Sequence, residues 1–566
     1  MQKFSELPYE RPSPGEAGKI TRESVKMLKR AKTPAVAQDA YRKLSDAIGG
    51  PYTAQTIAHI RRTLNMKDEF YAAELKRCGM ALARVMKGVA GATNKFIASP
   101  YKKDLEDRFG PQTFRCRTAM QKANSMKVIR ETLKESSLTA KYSALAASCS
   151  AEFRGEKCGY YDLIKHIMSA DRDERRGAYH TLAGFFEGNA AELDALYDEM
   201  LAVRIKKAKK LGYDNYIDYA YASKMRFDYT PADVAGFRDQ VLKHIVPIYS
   251  EFTKGQRERL GAETFMYYDA PVYYPEGNPA PIGDTAQITA AAGKMFGEMS
   301  PETGEFFRFM TEYELMDLDA RPDKQLGGYA LFLPEYKAPF VCANFNGTNE
   351  DIFAFTHEGG HAFQAYYSSR RQELADYIAS TSEINELHAM AMELLSYPWM
   401  ELFFGDGADK YRDMHIARRL YSILYHVCVD EFQEAVYSDP GMSPASRRET
   451  WKKIEGKYAP WQNYDGNAHL ESGGAWMMHQ HIFMAPFYII EYSLAQICAY
   501  QYYFRSLENR AAAWEDYLRL CAAGGSKGYF ELLREGNLQN PFDDGVVGEV
   551  ADMVKTMIGK SRVAKN

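Results

Sequence analysis

Thr348-Asn-Glu-Asp-Ile-Phe-Ala-Phe-Thr-His-Glu-Gly-Gly-His-Ala-Phe-Gln364 is the stretch on which the reading of this chain turns. Thr348 can cap a helix that runs through about Ser368. On such a helix His357 and His361 stand at i and i+4, so they share one face and both imidazoles can reach a single tetrahedral metal ion. Glu358 sits beside the first of them. This is the H-E-x-x-H pattern, whose glutamate is placed to act as a general base on water. The opposing reading is two surface histidines with an ordinary acidic neighbour. Gly359 and Gly360 speak against it, because each costs about 0.8–1 kcal/mol relative to alanine in a helix interior. A local rule broken between two candidate ligands implies that something approaches the backbone closely there.

A zinc site needs a third protein donor. Six residues after His361 stands Tyr367, not a third histidine, and nineteen and twenty residues on stand Ser380 and Thr381, not a glutamate. The remaining donors lie on the next predicted helix, which begins near Ala379 and ends before Pro398. Ser380 and Glu383 have capping-box spacing, which gives Glu383 a structural task. Glu386 lies one turn further in, on a core-facing stripe with Met390 and Glu393. A carboxylate there needs a metal or a buried ion partner, and we take Glu386 as the third ligand. Glu393 is either a partner of a ligand or exposed. Asp351 can orient an imidazole or favour the helix start electrostatically.

Upstream of this stretch, Gly328–Leu333 and Ala338–Phe345 flank Pro334-Glu-Tyr-Lys337 and predict a hairpin, the one small sheet of the chain. Its strand Ala338–Phe345 is a candidate for taking up a substrate backbone as an added strand. Elsewhere the periodicity is helical: over 17–45, 51–97, 102–110, 115–146 and 160–186, over 190–227 with a break at Gly212-Tyr213, and from about 350 to 560. The Tyr-, Pro- and Gly-rich segment 262–285 reads as a surface loop. The basic run Arg204–Lys210 reads as a solvated helix face, with an anion-binding surface as the alternative. The expectation is a mainly α protein, with an N-terminal helical region over 1–175 and a catalytic region over 176–566.

The formal net charge of -4 disfavours nucleic acid as a partner, since neutralising phosphates calls for a strongly basic surface. No apolar run is long enough to span a membrane, and the first residues lack a signal-peptide core. Eight scattered cysteines without a C-x-x-C pair read as reduced, mostly buried thiols, consistent with a cytoplasmic protein. A chelator-insensitive hydrolase would need a Ser or Cys nucleophile, and no G-x-S-x-G elbow is read in the chain.

His-Glu-Gly-Gly-His361, with Asn385-Glu386 further on, resembles the thimet oligopeptidase / oligoendopeptidase F family of zinc metallopeptidases, most nearly its bacterial oligoendopeptidase F and Pz-peptidase branch. The likeness spans roughly 200–550 and includes Ala208–Tyr216, Phe345–Gln364 and Phe487-Tyr-Ile-Ile-Glu-Tyr492. It implies one zinc ion per chain on His357, His361 and Glu386, with Glu358 as base. It also implies a two-lobed helical ellipsoid with a deep central channel, and internal cleavage of short unstructured oligopeptides. Members of the family stabilise the tetrahedral intermediate with a histidine and tyrosines from a glycine-bearing segment, here Glu471–Tyr492. That points to His481, in preference to His479, and to Tyr488 and Tyr492. Gly473-Gly474 would make this segment mobile, and a helix starting near Pro486 would put both tyrosines on one face. The alternatives are a metallocarboxypeptidase of similar fold and a non-catalytic peptide-binding protein. Oligomeric state is not legible.

Overall fold

Proline and capping residues cut the helical runs shorter than their apolar periodicity suggests. The computed structural model describes residues 1–123 and 125–563. The run over 17–45 is two helices, α1 (Pro14–Arg30) and α2 (Pro34–Asp46). Pro34 opens the second because its ring fits the first turn of a helix and clashes further in. The run over 51–97 divides into α3 (Gly49–Leu64) and α4 (Glu69–Ile97), and Asp68 caps α4 by accepting the Tyr71 N–H at 2.9 Å. The run over 115–146 is likewise divided, and its second half is α5 (Ile129–Ala147). Next comes α6 (Ala190–Lys210), whose basic run is not a solvated face. Arg204 and Lys207 are buried and both pair with Glu135 on α5, while Lys206 and Lys210 pair with Glu131. The charge pattern of α6 alone cannot reveal this, because a buried cation is tolerated only with a partner and the partners sit on another helix.

Among the described residues the strands form two sheets, not the single one expected. A short antiparallel hairpin, β1 (Ser150–Phe153) with β2 (Glu156–Gly159), has strands of four residues, too few to show alternation. The second sheet holds β3 (Met316–Asp319), β4 (Tyr329–Leu333) and β5 (Ala338–Phe345) in the order β3-β5-β4. The expected hairpin is β4–β5, and its turn closes on Lys337 in the left-handed region at φ 47°. The parallel strand β3 makes β5 the central strand, which corrects its candidacy as a free edge. A substrate backbone can be added only to an edge strand.

From β5 the chain turns through Asn346-Gly347 into α7 (Asn349–Ser369). Thr348 is at the cap position, yet its hydroxyl donates to Asn346 Oδ1. Asp351 does the work of the turn, accepting the N–H groups of Asn346 and Gly347 at 2.9 and 2.8 Å. The next helix, α8 (Ser382–Leu395), starts later than the proposed capping box. Asn385 replaces that box: its side chain accepts from Ser380 N–H and donates to Ser380 C=O. A last labelled helix, α9 (Ile490–Glu508), also starts later than expected, after Phe487 at φ 58°.

Two compact units result. The first combines Met1–Gln121, Ala280–Ala408 and Cys498–Gln539; the second combines Lys122–Pro279, Asp409–Ile497 and the chain from Asn540 onward. In the first, one apolar cluster joins Tyr41, Phe96 and Phe114 to Leu374 and Tyr377. In the second, Tyr142 stacks on Phe483 with centroids 4.2 Å apart, and Arg226 forms a buried pair with Glu491 at 2.7 Å. All eight cysteines are free thiols, and only Cys116 is not buried. No described helix is long and apolar enough to cross a membrane.

Candidate active site

Two glycines set the site by letting two helices touch. A Cβ on Gly360 of α7 would lie 2.6 Å from Ala389 Cα and 2.7 Å from His388 O, both on α8. One on Gly359 would lie 3.3 Å from Phe296 Cζ. The approach anticipated from the glycine pair is therefore that of the helix carrying Glu386. The start of α8 is held in turn by the segment after residue 497: Ser380 Oγ donates to Gly524 O at 2.9 Å, and Tyr517 OH donates to His388 O at 3.0 Å.

With α7 and α8 in contact, His357 Nε2 and His361 Nε2 lie 3.5 and 3.7 Å from Glu386 Oε2. One donor atom from each of the three residues falls within 4.8 Å of the others. A tetrahedral zinc with bonds of about 2.0–2.1 Å separates its donors by roughly 3.4 Å, so two imidazoles and one carboxylate fit that ion with little movement. Among the described residues no other His, Cys, Asp or Glu group converges in this way.

Each imidazole also has an outer partner. Glu393 Oε1 lies 2.6 Å from His357 Nδ1, with the carboxylate 1% exposed, so Glu393 orients that imidazole and is not a surface residue. The His361 ring donates to the Asn385 backbone carbonyl. Such contacts fix the ring orientation and tautomer. Burial by itself lowers the His357 pKa, but the Glu386 and Glu393 carboxylates outweigh it and lift the ring to about 10. His361, buried beside that cation, is pushed down to about 4.

Glu358 faces β4. Its carboxylate accepts the Ala330 N–H, and burial raises its pKa to about 7. Gly328 leaves room beside it, since a Cβ there would sit 3.5 Å from Glu358 Oε1. Sequence reasoning missed the Ala330 amide. The signal was present in Gly327-Gly328, placed just ahead of a strand.

His481, Tyr488 and Tyr492 belong to the second unit. Tyr488 OH and Tyr492 OH lie 3.2 Å apart, although Tyr488 precedes α9 and is not one of its turns. His481 is partly exposed, and its buried Nδ1 has no hydrogen-bond partner. His479 is packed between the rings of Tyr425 and Trp451, each with its centroid 4.9 Å away. His426, unremarked in the sequence for want of any motif, has its ring 5.5 Å from that of Tyr492 and its Nδ1 3.3 Å from Ser493 Oγ. Gly473 and Gly474 are not a hinge of open space: a Cβ would strike Arg448 O at the first and the His469 ring at the second.

Gly524-Gly-Ser-Lys-Gly528 carries G-x-S-x-G spacing, which corrects the expectation that the chain has none. It follows the helix Arg510–Ala523 rather than a strand, and Ser526 Oγ donates to Ala523 O at 2.8 Å. It is a helix-end turn, not a nucleophile elbow.

Two apposed helices that present His, His and Glu beside a half-buried glutamate have the arrangement of the H-E-x-x-H peptidases. The profile of peptidase family M3 matches residues 166–280 and 303–551, and that of the peptidase M3 N-terminal domain matches 4–124; the chain belongs to peptidase family M3. It is similar over 99% of both chains to the solved structure of Pz peptidase A with an inhibitor, at 41% identity and a TM-score of 0.90. It is 23% identical over 293 residues to an oligoendopeptidase F homolog of Borreliella burgdorferi, covering 50% of this chain and 48% of that protein. Against group B oligopeptidase PepB of Streptococcus agalactiae it is 22% identical over 241 residues, covering 40% of this chain and 38% of that protein. The chain spans half or less of the length of the curated relatives it matches.

Proposed function

We propose that this chain is a zinc-dependent endopeptidase that hydrolyses internal bonds of short, unstructured oligopeptides. The observation that carries the reading is the convergence of His357, His361 and Glu386 next to Glu358 on the flank of an edge strand. Zinc, when bound, supplies a Lewis acid that acidifies water and polarises a carbonyl. The chain's own residues do the rest. Glu358 accepts a proton from the attacking water and returns it to the leaving amine, a role for which a carboxyl near neutrality is well matched. Glu393 and the Asn385 carbonyl hold the two imidazoles in the orientation that leaves their Nε2 atoms free for the ion. The strand suited to align a peptide backbone is β4, at the edge of its sheet, in place of β5. The assignment of His481, Tyr488 and Tyr492 to oxyanion stabilisation rests on the family resemblance, and conversion of either tyrosine to Phe should lower kcat more than it changes KM.

The test uses a quenched fluorescent peptide of about ten residues, blocked at both ends, so that only an attack on an internal peptide bond restores fluorescence. Cleavage should be lost with a chelator and recovered with zinc. Glu358→Ala, loaded with metal, should retain peptide binding and lose turnover by at least about 10³-fold. Turnover by that variant would remove Glu358 from the mechanism. No cleavage by the zinc-loaded parent, with hydrolysis of an unblocked peptide from its C-terminus, would replace the endopeptidase reading with the carboxypeptidase one.

A further inference from the structure

The helices α1 and α4 carry none of the candidate site residues, yet they frame a groove of about 750 Å³ with an unusual lining. Its floor is apolar, with Val25 and Val85 buried along it. Gly18 of α1 and Gly88 and Gly91 of α4 line it as well, and a Cβ on either α4 glycine would meet nothing within 4 Å. Glycines in a helix interior cost stability, and here their lack of side chains is what keeps the groove open.

The rim is cationic. Arg22 and Lys26 stand on the α1 side and Arg84, Lys87 and Lys95 on the α4 side, all exposed. No Asp or Glu lines the groove, and the α1 carboxylate nearest its rim, Glu23, is bridged to Lys43 at 2.6 Å. In a chain of net charge -4 that concentration of positive charge, with Glu23 within electrostatic reach of Lys26 but paired to Lys43, repels itself and costs free energy that a bound anion relieves. On α4 the order is regular: Arg84, Gly88, Gly91 and Lys95 follow at i, i+4, i+7 and i+11, one stripe with a cation at each end and glycine between. Eleven rises of 1.5 Å give that stripe a length of roughly 17 Å.

We infer that this groove is a docking surface for an acidic amphipathic helix of a protein partner, one that lays an apolar stripe on the glycine floor and brings Asp or Glu side chains to both rims. Helix-in-groove recognition uses this combination of a narrow apolar trough and flanking charge. Small residues on the floor let a third helix axis approach closely, as ridge-into-groove packing requires. A concave trough suits a helix better than it suits a flat bilayer. The inference does not depend on the peptidase reading, since no residue of the groove lies on α7 or α8.

The experiment uses the full chain and a fluorescein-labelled 18-residue helical probe with Leu on one stripe and Glu on both flanks. A scrambled peptide of the same composition and phosphatidylglycerol vesicles are the comparisons. Probe anisotropy should rise saturably at low salt and weaken as ionic strength increases. Lys26→Glu with Lys87→Glu should weaken binding by roughly tenfold or more, and Gly91→Phe, which fills the trough without touching charge, by a similar factor. Both variants should keep the parent's circular dichroism and its rate on the reporter peptide. Equal affinity for the scrambled peptide would overturn the proposal, because charge alone would then account for binding. Unchanged affinity in either variant would place the probe elsewhere and overturn it too. Vesicle binding without probe binding would replace the protein partner with a lipid surface.

Discussion

Glu393 is buried against an imidazole, and that makes it a lever on the site. Glu393→Gln keeps the shape and one hydrogen-bond acceptor but removes the charge that His357 faces. Zinc affinity should fall 10- to 100-fold, as is typical for loss of an outer-shell partner, measured by competition with a fluorescent chelator. In the second unit, Glu455 is part-buried with Tyr464 OH donating to it at 2.6 Å, and burial raises its pKa from 4.5 to about 7. A carboxyl whose folded pKa is raised holds its proton longer in the native state, so stability is greatest below about pH 4.5 and falls as pH rises from there to about 7, by about 3 kcal/mol. Glu455→Gln should therefore gain Tm over the parent progressively between pH 5 and 8, and parallel Tm curves would show that Glu455 ionises freely. At this scale the sequence was informative where a spacing rule applied. The shared face of His357 and His361 followed from i,i+4 geometry, and the nearness of Glu386 from a carboxylate on a core stripe. Glu383 misled because a capping box and a buried helix position share the same letters.

The element scale explains why the glycines in α7 matter. A methyl on Gly360 must displace α8, since what it meets is backbone and not the flexible end of a side chain. Gly360→Ala should cost about 1–3 kcal/mol through overpacking. Because α8 carries Glu386, zinc content should fall in the same protein. A variant that melts lower but keeps full zinc content would show that the helices part without moving the donors. Helix boundaries were the least legible feature of the sequence, for local reasons: Pro34 and Asp68 each interrupt an apolar period that carries on past them. The strand β3 was invisible because four residues show no alternation, yet it decides that β5 is central and β4 the edge. A peptide bearing N-methyl groups at alternate backbone amides should lose affinity in one register only, if β4 receives it.

The first unit draws on three separate stretches of chain, and its apolar cluster mixes residues from two of them. Deleting residues 1–121 strips Tyr41, Phe96 and Phe114 from Leu374 and Tyr377. The truncated chain should show no cooperative thermal transition by circular dichroism and bind no zinc, whereas the same deletion in a chain with a self-sufficient catalytic half would leave both. The order in which a ribosome delivers these stretches has its own consequence. Helices α1 to α4 emerge first, but Gly524 and Tyr517, which seat the start of α8, follow roughly 400 residues later. At about 5–20 residues per second, α8, complete at Leu395, waits on the order of 6–25 s for the segment that seats it. Birth, not maturity, is then when this molecule is most exposed to aggregation, and a nascent chain stalled before residue 498 should be far more protease-sensitive than the finished one.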